Sequence, residues 1–156
     1  MKSQAFDYIV VGGGSAGSVM AGRLSEDAGT SVVLLEAGGN GDSWVVKTPA
    51  AAVAMLPTSI NNYAFQTVPQ KGLNGRRGYQ PRGKCLGGSS AINAMIYTRG
   101  HRSDYDHWAA LGNIGWSYDE LLPYFKKSEN NTTIQNSFHG IDGPLSVSNL
   151  QSHNPF

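Results

Sequence analysis

Three glycines in the order Gly12-x-Gly14-x-x-Gly17 stand directly behind the run Phe6 to Val11. That run is aromatic and β-branched, as a buried strand is, and it stops abruptly at the glycines. After them Ala16, Val19, Met20 and Leu24 recur at helical spacing, and Ser31 to Leu35 is strand-like again. Strand, glycine turn, helix, strand is the order of a βαβ unit, in which the helix crosses over between two parallel strands. An α/β fold with a Rossmann-like start is therefore expected.

Each glycine of the motif has its own reason to lack a side chain. Gly12 permits the tight turn, Gly14 lets the backbone approach a pyrophosphate, and Gly17 lets helix and strand pack closely. The free N–H groups at the helix start, around Ser15 and Ala16, carry the partial positive charge that suits phosphate. Glu36 follows Gly17 by 19 residues and ends the second strand, with Ala37 next. A carboxylate there can accept the hydroxyl protons of an adenosine ribose and disfavours a ribose 2′-phosphate. NAD and FAD satisfy this pattern equally.

The chain has 20 glycines, where average usage of about 7% would give roughly 11, and the excess is clustered. The second cluster runs Arg82-Gly-Lys-Cys-Leu-Gly-Gly-Ser-Ser-Ala-Ile-Asn93 and is expected to introduce a helix. Gly87 and Gly88 remove side chains where backbone must come close, Ser89 can donate a hydrogen bond, and Asn93 can both donate and accept. Between Glu36 and this cluster the texture is that of loops with one short helix. Tyr118 to Glu129 is amphipathic through Leu121, Leu122 and Phe125, and Leu145-Ser-Val-Ser alternates like an edge strand. Only two parallel strands are visible where a doubly wound sheet needs several. The final Asn154-Pro155-Phe156 supplies neither cap nor polar tail, so further chain is expected downstream.

Taken in order, Gly12-Gly-Gly-Ser-Ala-Gly17, Glu36-Ala-Gly38, Pro81-Arg-Gly-Lys-Cys-Leu-Gly-Gly-Ser-Ser-Ala-Ile-Asn93, Tyr97-Thr-Arg-Gly100, Asp104-Tyr-Asp-His-Trp108, Gly115-Trp-Ser-Tyr118 and Gly140-Ile-Asp-Gly-Pro144 resemble the glucose-methanol-choline oxidoreductase family. The resemblance spans essentially the whole chain. It implies FAD rather than NAD, with residues 1–156 forming the amino-terminal FAD-binding part and the start of an α+β substrate domain. Arg82, Gly83, Leu86, Gly87, Gly88 and Ser89 would pack along the cofactor, and Asn93, Ala94, Met95 and Ile96 would run beside the flavin ring. Some members link FAD covalently through a histidine just before the Asn. That position is Ile92 here, which implies non-covalent FAD. Ala64-Phe-Gln-Thr, Leu73-Asn-Gly-Arg76 and Ile92-Asn-Ala-Met-Ile-Tyr97 resemble members that oxidise primary alcohols to aldehydes, with choline dehydrogenases close behind. The family also includes redox-neutral hydroxynitrile lyases. Its catalytic histidine lies in a carboxyl-terminal part that this sequence does not reach, so no catalytic residue is assigned. The dehydrogenase resemblance leans toward a quinone as electron acceptor, with oxygen or a dye equally compatible.

Other classes are disfavoured by what the residues lack. With 12 Lys plus Arg against 11 Asp plus Glu, no basic field stands out for nucleic acid, and a small molecule is the expected partner. The start reads neither as a signal peptide nor as a membrane span, and the expected place is the cytoplasm, free or peripheral to the inner membrane. His101, His107, His139 and His153 have no metal-ligand spacing and suit surface or supporting roles. Cys85 is expected to be a small buried side chain, Asp104 and Asp106 to favour the dipole at a helix start, and Trp108 to fill a core. Ser89-Ser90 lacks the Gly-x-Ser-x-Gly elbow of a hydrolase. The Asn-x-Thr sequons at Asn130 and Asn131 carry no weight without export.

Overall fold

The computed structural model describes residues 4–149. The expectations attached to His153 and to the final Asn154-Pro155-Phe156 lie outside the described residues. The chain divides into two compact units, one ending at Ile96 and the other beginning at Tyr97.

The first unit opens as expected, with β1 (Tyr8–Val11), α1 (Ser15–Leu24) and β2 (Val32–Leu35). The strands pair parallel, Tyr8 opposite Val32 and Val11 opposite Leu35. β1 begins at Tyr8 rather than Phe6. Its entry is clamped to that of β2, because the Asp7 carboxylate accepts both the N–H and the hydroxyl of Ser31 at 2.8 and 2.6 Å. Gly12 turns the chain out of β1 at φ 95°, a left-handed conformation that a side chain would strain. A Cβ at Gly17 would stand 1.9 Å from the Gly12 carbonyl oxygen, so α1 starts against the turn itself.

After β2 come two one-turn helices, α2 (Trp44–Lys47) and α3 (Ala52–Met55), separated by a 3-10 turn at Pro49–Ala51. Two short strands, β3 (Phe65–Gln66) and β4 (Tyr79–Gln80), pair antiparallel with Phe65 opposite Gln80. The helix expected after the second glycine cluster does not form. Only a 3-10 turn, Gly88–Ala91, is present. Gly87 and Gly88 hold φ of 92° and 54°, and Met95 holds 56°, so the chain enters and leaves this stretch outside the helical region. The Asn93 side-chain oxygen accepts the Met95 N–H at 2.9 Å, a local turn that competes with helix. Buried apolar side chains among the described residues are few: Met55, Cys85 and Ile92. Meanwhile Val11 on β1 is 81% exposed and Val19 on α1 is 62% exposed. Strands this uniformly apolar belong to sheets covered on both faces, so the βαβ unit presents surface suited to further layers.

The second unit holds α4 (Arg102–Ala110), α5 (Tyr118–Ser128), β5 (Glu129–Asn131) and β6 (Leu145–Val147). α4 starts on a capping box in which the His101 N–H donates to Asp104 Oδ2 at 2.8 Å. α5 starts on another, with the Ser117 N–H on Glu120 Oε2 at 3.1 Å. Arg102 reaches Asp119 with two nitrogens, at 2.8 and 2.6 Å, and fastens one helix start to the other. Asp106 accepts the Tyr118 N–H at 3.0 Å, and Trp108 packs edge-on against Tyr105. Asp104 and Asp106 thus take the structural roles expected at a helix start, whereas Trp108, 44% exposed, does not fill a core as expected. α5 ends at Ser128, and Glu129 turns extended to open β5, which pairs parallel with β6.

Candidate functional site

The two glycine clusters lie against each other. The Gly87 N–H donates to the Gly13 carbonyl at 2.8 Å and the Leu86 N–H to the Gly39 carbonyl at 2.9 Å. Gly14 pairs with Gly87 and Gly39 with Cys85 as parallel bridges. A Cβ at Gly88 would come within 2.7 Å of the Gly14 Cα, one at Gly38 within 1.9 Å of the Lys84 carbonyl oxygen, and one at Gly83 within 2.0 Å of the Gly88 oxygen. Real Cβ atoms do not approach so closely, so the glycines are where bare backbones touch.

Gly12 and Gly14 differ. Nothing lies within 4 Å of a Cβ built on Gly12, and only the Gly88 Cα, at 3.9 Å, on Gly14. Both border open space. Gly14 is the cap residue of α1 and no side chain caps that helix. The first-turn N–H groups, from Ser15, Ala16 and Gly17, are thus left for an anion, with the helix dipole behind them. An uncapped helix start beside glycines that border open space fits a dinucleotide phosphate.

Glu36 has work the sequence did not announce. Its Oε2 accepts the Gly13 N–H at 2.7 Å and its Oε1 the Gly38 N–H at 2.8 Å, so it braces the glycine turn from the end of β2. A carboxylate has about four acceptor positions, which leaves room for ribose hydroxyls. Ala37 and Leu86 are exposed at the rim. The Ser89 hydroxyl accepts the Gly83 N–H at 3.2 Å and closes the second loop on itself. The Arg82 side chain is exposed and its guanidinium rests on the Pro81 carbonyl at 2.6 Å. Ile92 is buried at 2% exposure, whereas Asn93, Ala94, Met95 and Ile96 are exposed. Among the described residues no hydrogen bond ties that last stretch to the glycine loops. Cys85 is fully buried, and burial first, then the nearby Glu36 charge, raises its thiol above the ordinary value. A protonated buried thiol is packing material, not a nucleophile.

Two polar centres escaped the sequence. Asn62, in the first unit, is 2% exposed and bonded at both ends of its amide. In the second unit the buried Glu129 receives the Arg99 guanidinium, His139 Nδ1 at 2.7 Å, Asn131 Nδ2 at 2.9 Å and the Gly140 N–H at 3.3 Å. Burial opposes ionisation of Glu129, but hydrogen bonds from His139, Asn131 and Gly140 together with the Arg99 charge outweigh it and hold the carboxyl at about 2. His139 takes the supporting role, its Nδ1 proton facing the carboxylate. The Gly140-Ile-Asp-Gly-Pro144 motif was the available signal. A Cβ at Gly140 would meet the Lys126 oxygen at 1.9 Å, so the loop returning to Glu129 rests on the end of α5.

The sequence pattern of the GMC oxidoreductase family matches residues 6–156. The chain belongs to this family. Its relatives include the oxygen-dependent choline dehydrogenase of Pseudomonas fluorescens, 48% identical over 155 residues that cover 97% of this chain and 27% of that protein. Among solved structures, pyridoxine 4-oxidase from Mesorbium loti superposes with a TM-score of 0.84 at 41% identity, over 91% of this chain and 28% of that one. An FAD-dependent oxidoreductase from Chaetomium thermophilum gives 0.79 at 34% identity, over 92% and 26%. The chain thus spans about a quarter of the length of the proteins it matches. The expected fold class, a Rossmann-like α/β start in this family, holds.

Proposed function

We propose that residues 1–156 are the amino-terminal FAD-binding part of a larger enzyme that oxidises a primary alcohol to an aldehyde. The observation that carries this reading is the contact of the two glycine segments, Gly87 N–H on Gly13 carbonyl at 2.8 Å, beside the uncapped start of α1. In this reading Gly12, Gly14, Ser15, Ala16 and Gly17 hold the pyrophosphate. Glu36 and Ala37 meet the ribose. Arg82, Gly83, Leu86, Gly87, Gly88 and Ser89 lie along the cofactor, and Asn93 to Ile96 beside the flavin ring. Bound there, FAD would supply the acceptor for a hydride from the carbinol carbon. The base that takes the hydroxyl proton belongs to chain beyond these residues. Ile92, alkyl and buried, offers no atom for a covalent link, so the FAD is non-covalent.

FAD is supported by the FAD-dependent neighbour, and a CH–OH donor by the relatives named for choline and pyridoxine. Choline is the first alcohol to test, because the relative of that name is 48% identical. The expected quinone gains no support from these relatives, and "oxygen-dependent" in the Pseudomonas name makes oxygen the first acceptor to try. No helix among the described residues is long and apolar enough to cross a membrane, and a cytoplasmic place stays part of the proposal. The test is to mix the full-length protein anaerobically with choline, pyridoxine and simple primary alcohols and follow the flavin absorbance. Bleaching by a primary alcohol is the expected result. A flavin that stays oxidised with all of them would overturn alcohol oxidation in favour of a redox-neutral lyase.

A further inference from the structure

We infer that Asn62 is a positioning residue for the cofactor site, setting the second glycine loop through its side-chain oxygen. This rests on the FAD reading above. Asn62 lies between α3 and β3, outside both glycine motifs, yet its amide is among the most completely bonded polar groups described. Oδ1 accepts two backbone N–H groups, Ala64 at 3.0 Å and Arg82 at 2.9 Å. Nδ2 lies 2.8 Å from the Thr58 carbonyl, 2.8 Å from the Tyr79 hydroxyl oxygen and 3.1 Å from the Leu56 carbonyl. Two amide protons cannot serve three acceptors fully. Tyr79 donates its own proton to Leu56, so the amide protons go to Thr58 and the Tyr79 oxygen.

The two ends of this amide therefore do different jobs. The nitrogen ties down the segment after α3 and the side chain of β4. The oxygen faces the start of the second glycine loop, where backbone contacts repeat its hold: Tyr63 N–H donates to the Arg82 carbonyl at 2.8 Å and Lys84 N–H to the Asn61 carbonyl at 2.7 Å. Asn62 and Gly83 form an antiparallel bridge. From Arg82 the loop runs a few residues to Leu86 and Gly87, which bond Gly39 and Gly13. The loop is thus pinned at its far end by the first glycine motif and at its near end by Asn62. Backbone strain marks the same place. Asn61 and Ala64 both hold φ of 52°, a conformation that side-chain-bearing residues keep only when their surroundings impose it. The Asn62 oxygen fixes the peptide that leads into Ala64 by accepting its N–H at 3.0 Å.

Without the Asn62 oxygen the Arg82 N–H loses its acceptor and only the Tyr63 and Lys84 backbone bonds hold the near end, so the loop that touches Gly14 can shift against the proposed cofactor site. The experiment uses the full-length protein stripped of FAD and measures the FAD dissociation constant and the apo melting temperature for four variants. Asn62→Ala should raise the dissociation constant about tenfold, the worth of one buried hydrogen bond. Tyr79→Phe should lower the melting temperature and leave FAD affinity unchanged, since the Leu56 and Thr58 carbonyls can then take both amide protons. Asn62→Asp keeps the oxygen towards Arg82 and loses the donors towards Thr58, so it should melt lower while holding FAD within about threefold of wild type. It decides the matter if Asn62→Ala does not accumulate folded. Gly14→Ala is the control on the FAD reading, because it should lose affinity whether or not Asn62 matters. Unchanged affinity in Asn62→Ala, or a loss in Asn62→Asp as large as in Gly14→Ala, overturns the role of Asn62. Unchanged affinity in Gly14→Ala instead overturns the FAD reading beneath it.

Discussion

Alanine at Gly14, Gly17 and Gly22 should separate binding from folding within one helix. At Gly14 the backbone is ordinary, φ −75° and ψ −170°, and the nearest atom to a new methyl is the Gly88 Cα at 3.9 Å. Exchanging glycine for alanine at a cap loses about 0.5 to 1.5 kcal/mol, while stiffening the unfolded chain returns about 0.4 to 1 kcal/mol. The two nearly cancel, so stability should change by less than about 1 kcal/mol. The methyl nevertheless points into the open space that the proposed reading gives to the pyrophosphate, and FAD should then bind at least about tenfold more weakly, or about 1.4 kcal/mol. Gly17→Ala puts a methyl 1.9 Å from the Gly12 oxygen, where comfortable contact begins near about 3.5 Å. The helix must retreat by more than about 1 Å from a packed turn, at about 3 kcal/mol or more. Gly22 is exposed and a Cβ there meets nothing within 4 Å, so Gly22→Ala should stabilise by about 0.5 to 1 kcal/mol. Titrating apo full-length protein with FAD by flavin fluorescence, alongside thermal unfolding by far-UV circular dichroism, measures both quantities. Affinity and stability falling together in Gly14→Ala would refute the assignment of open space to phosphate, and so would wild-type affinity in that variant.

Glu36→Ala removes braces of 2.7 and 2.8 Å from the glycine turn as well as the proposed ribose contacts, each charge-assisted bond being worth about 1.5 to 3 kcal/mol. Flavin release by stopped flow should quicken by more than about tenfold, with Glu36→Gln milder, and unchanged release would return Glu36 to a purely structural brace. Acid precipitation of the holoenzyme should leave a yellow supernatant, whereas flavin in the pellet would show that burial of Ile92 does not preclude a link elsewhere. The Glu129 carboxyl, held at about 2 against an ordinary 4.5, contributes stability that is present above pH 4.5 and lost as pH falls towards 2. The stability measured by denaturant unfolding should fall with acid across that range in wild type and fall less in Glu129→Gln, and parallel falls would remove Glu129 from the acid response. Residues 1–156 expressed alone should precipitate and reduce no dye with any alcohol, since Val11 and Val19 lie bare; turnover by the purified piece would contradict a base located downstream.

What the sequence disclosed and what it hid follow from how far apart the interacting groups are. Gly12, Gly17 and the alternation of strand and helix are local: a turn of φ 95° and a helix start 1.9 Å from it are written within six positions, and glycine is almost the only residue that permits both. Their legibility needed no knowledge of the rest of the chain. The second glycine cluster was legible as a place of close approach but not as a shape. Glycines that serve contact with Gly13 and Gly39 look, in sequence, like glycines that precede a helix, and only the φ values of Gly87 and Gly88 tell the two apart. Asn62 gave no periodic or spacing signal at all, and Glu129 only the Gly140-Ile-Asp-Gly-Pro144 motif that returns to it. Asn62 matters because Arg82 lies 20 positions on, and Glu129 because Arg99 lies 30 positions back. A polar residue in a loop is expected to be solvated, and it takes the fold to show that these two are buried. Their burial is also why they are informative: a buried amide or carboxylate persists only where every lone pair and proton finds a partner. In the proposed reading Asn62, which holds the second glycine loop, is thus among the groups least marked in sequence, while the glycines that bring bare backbones together advertise themselves by lacking side chains.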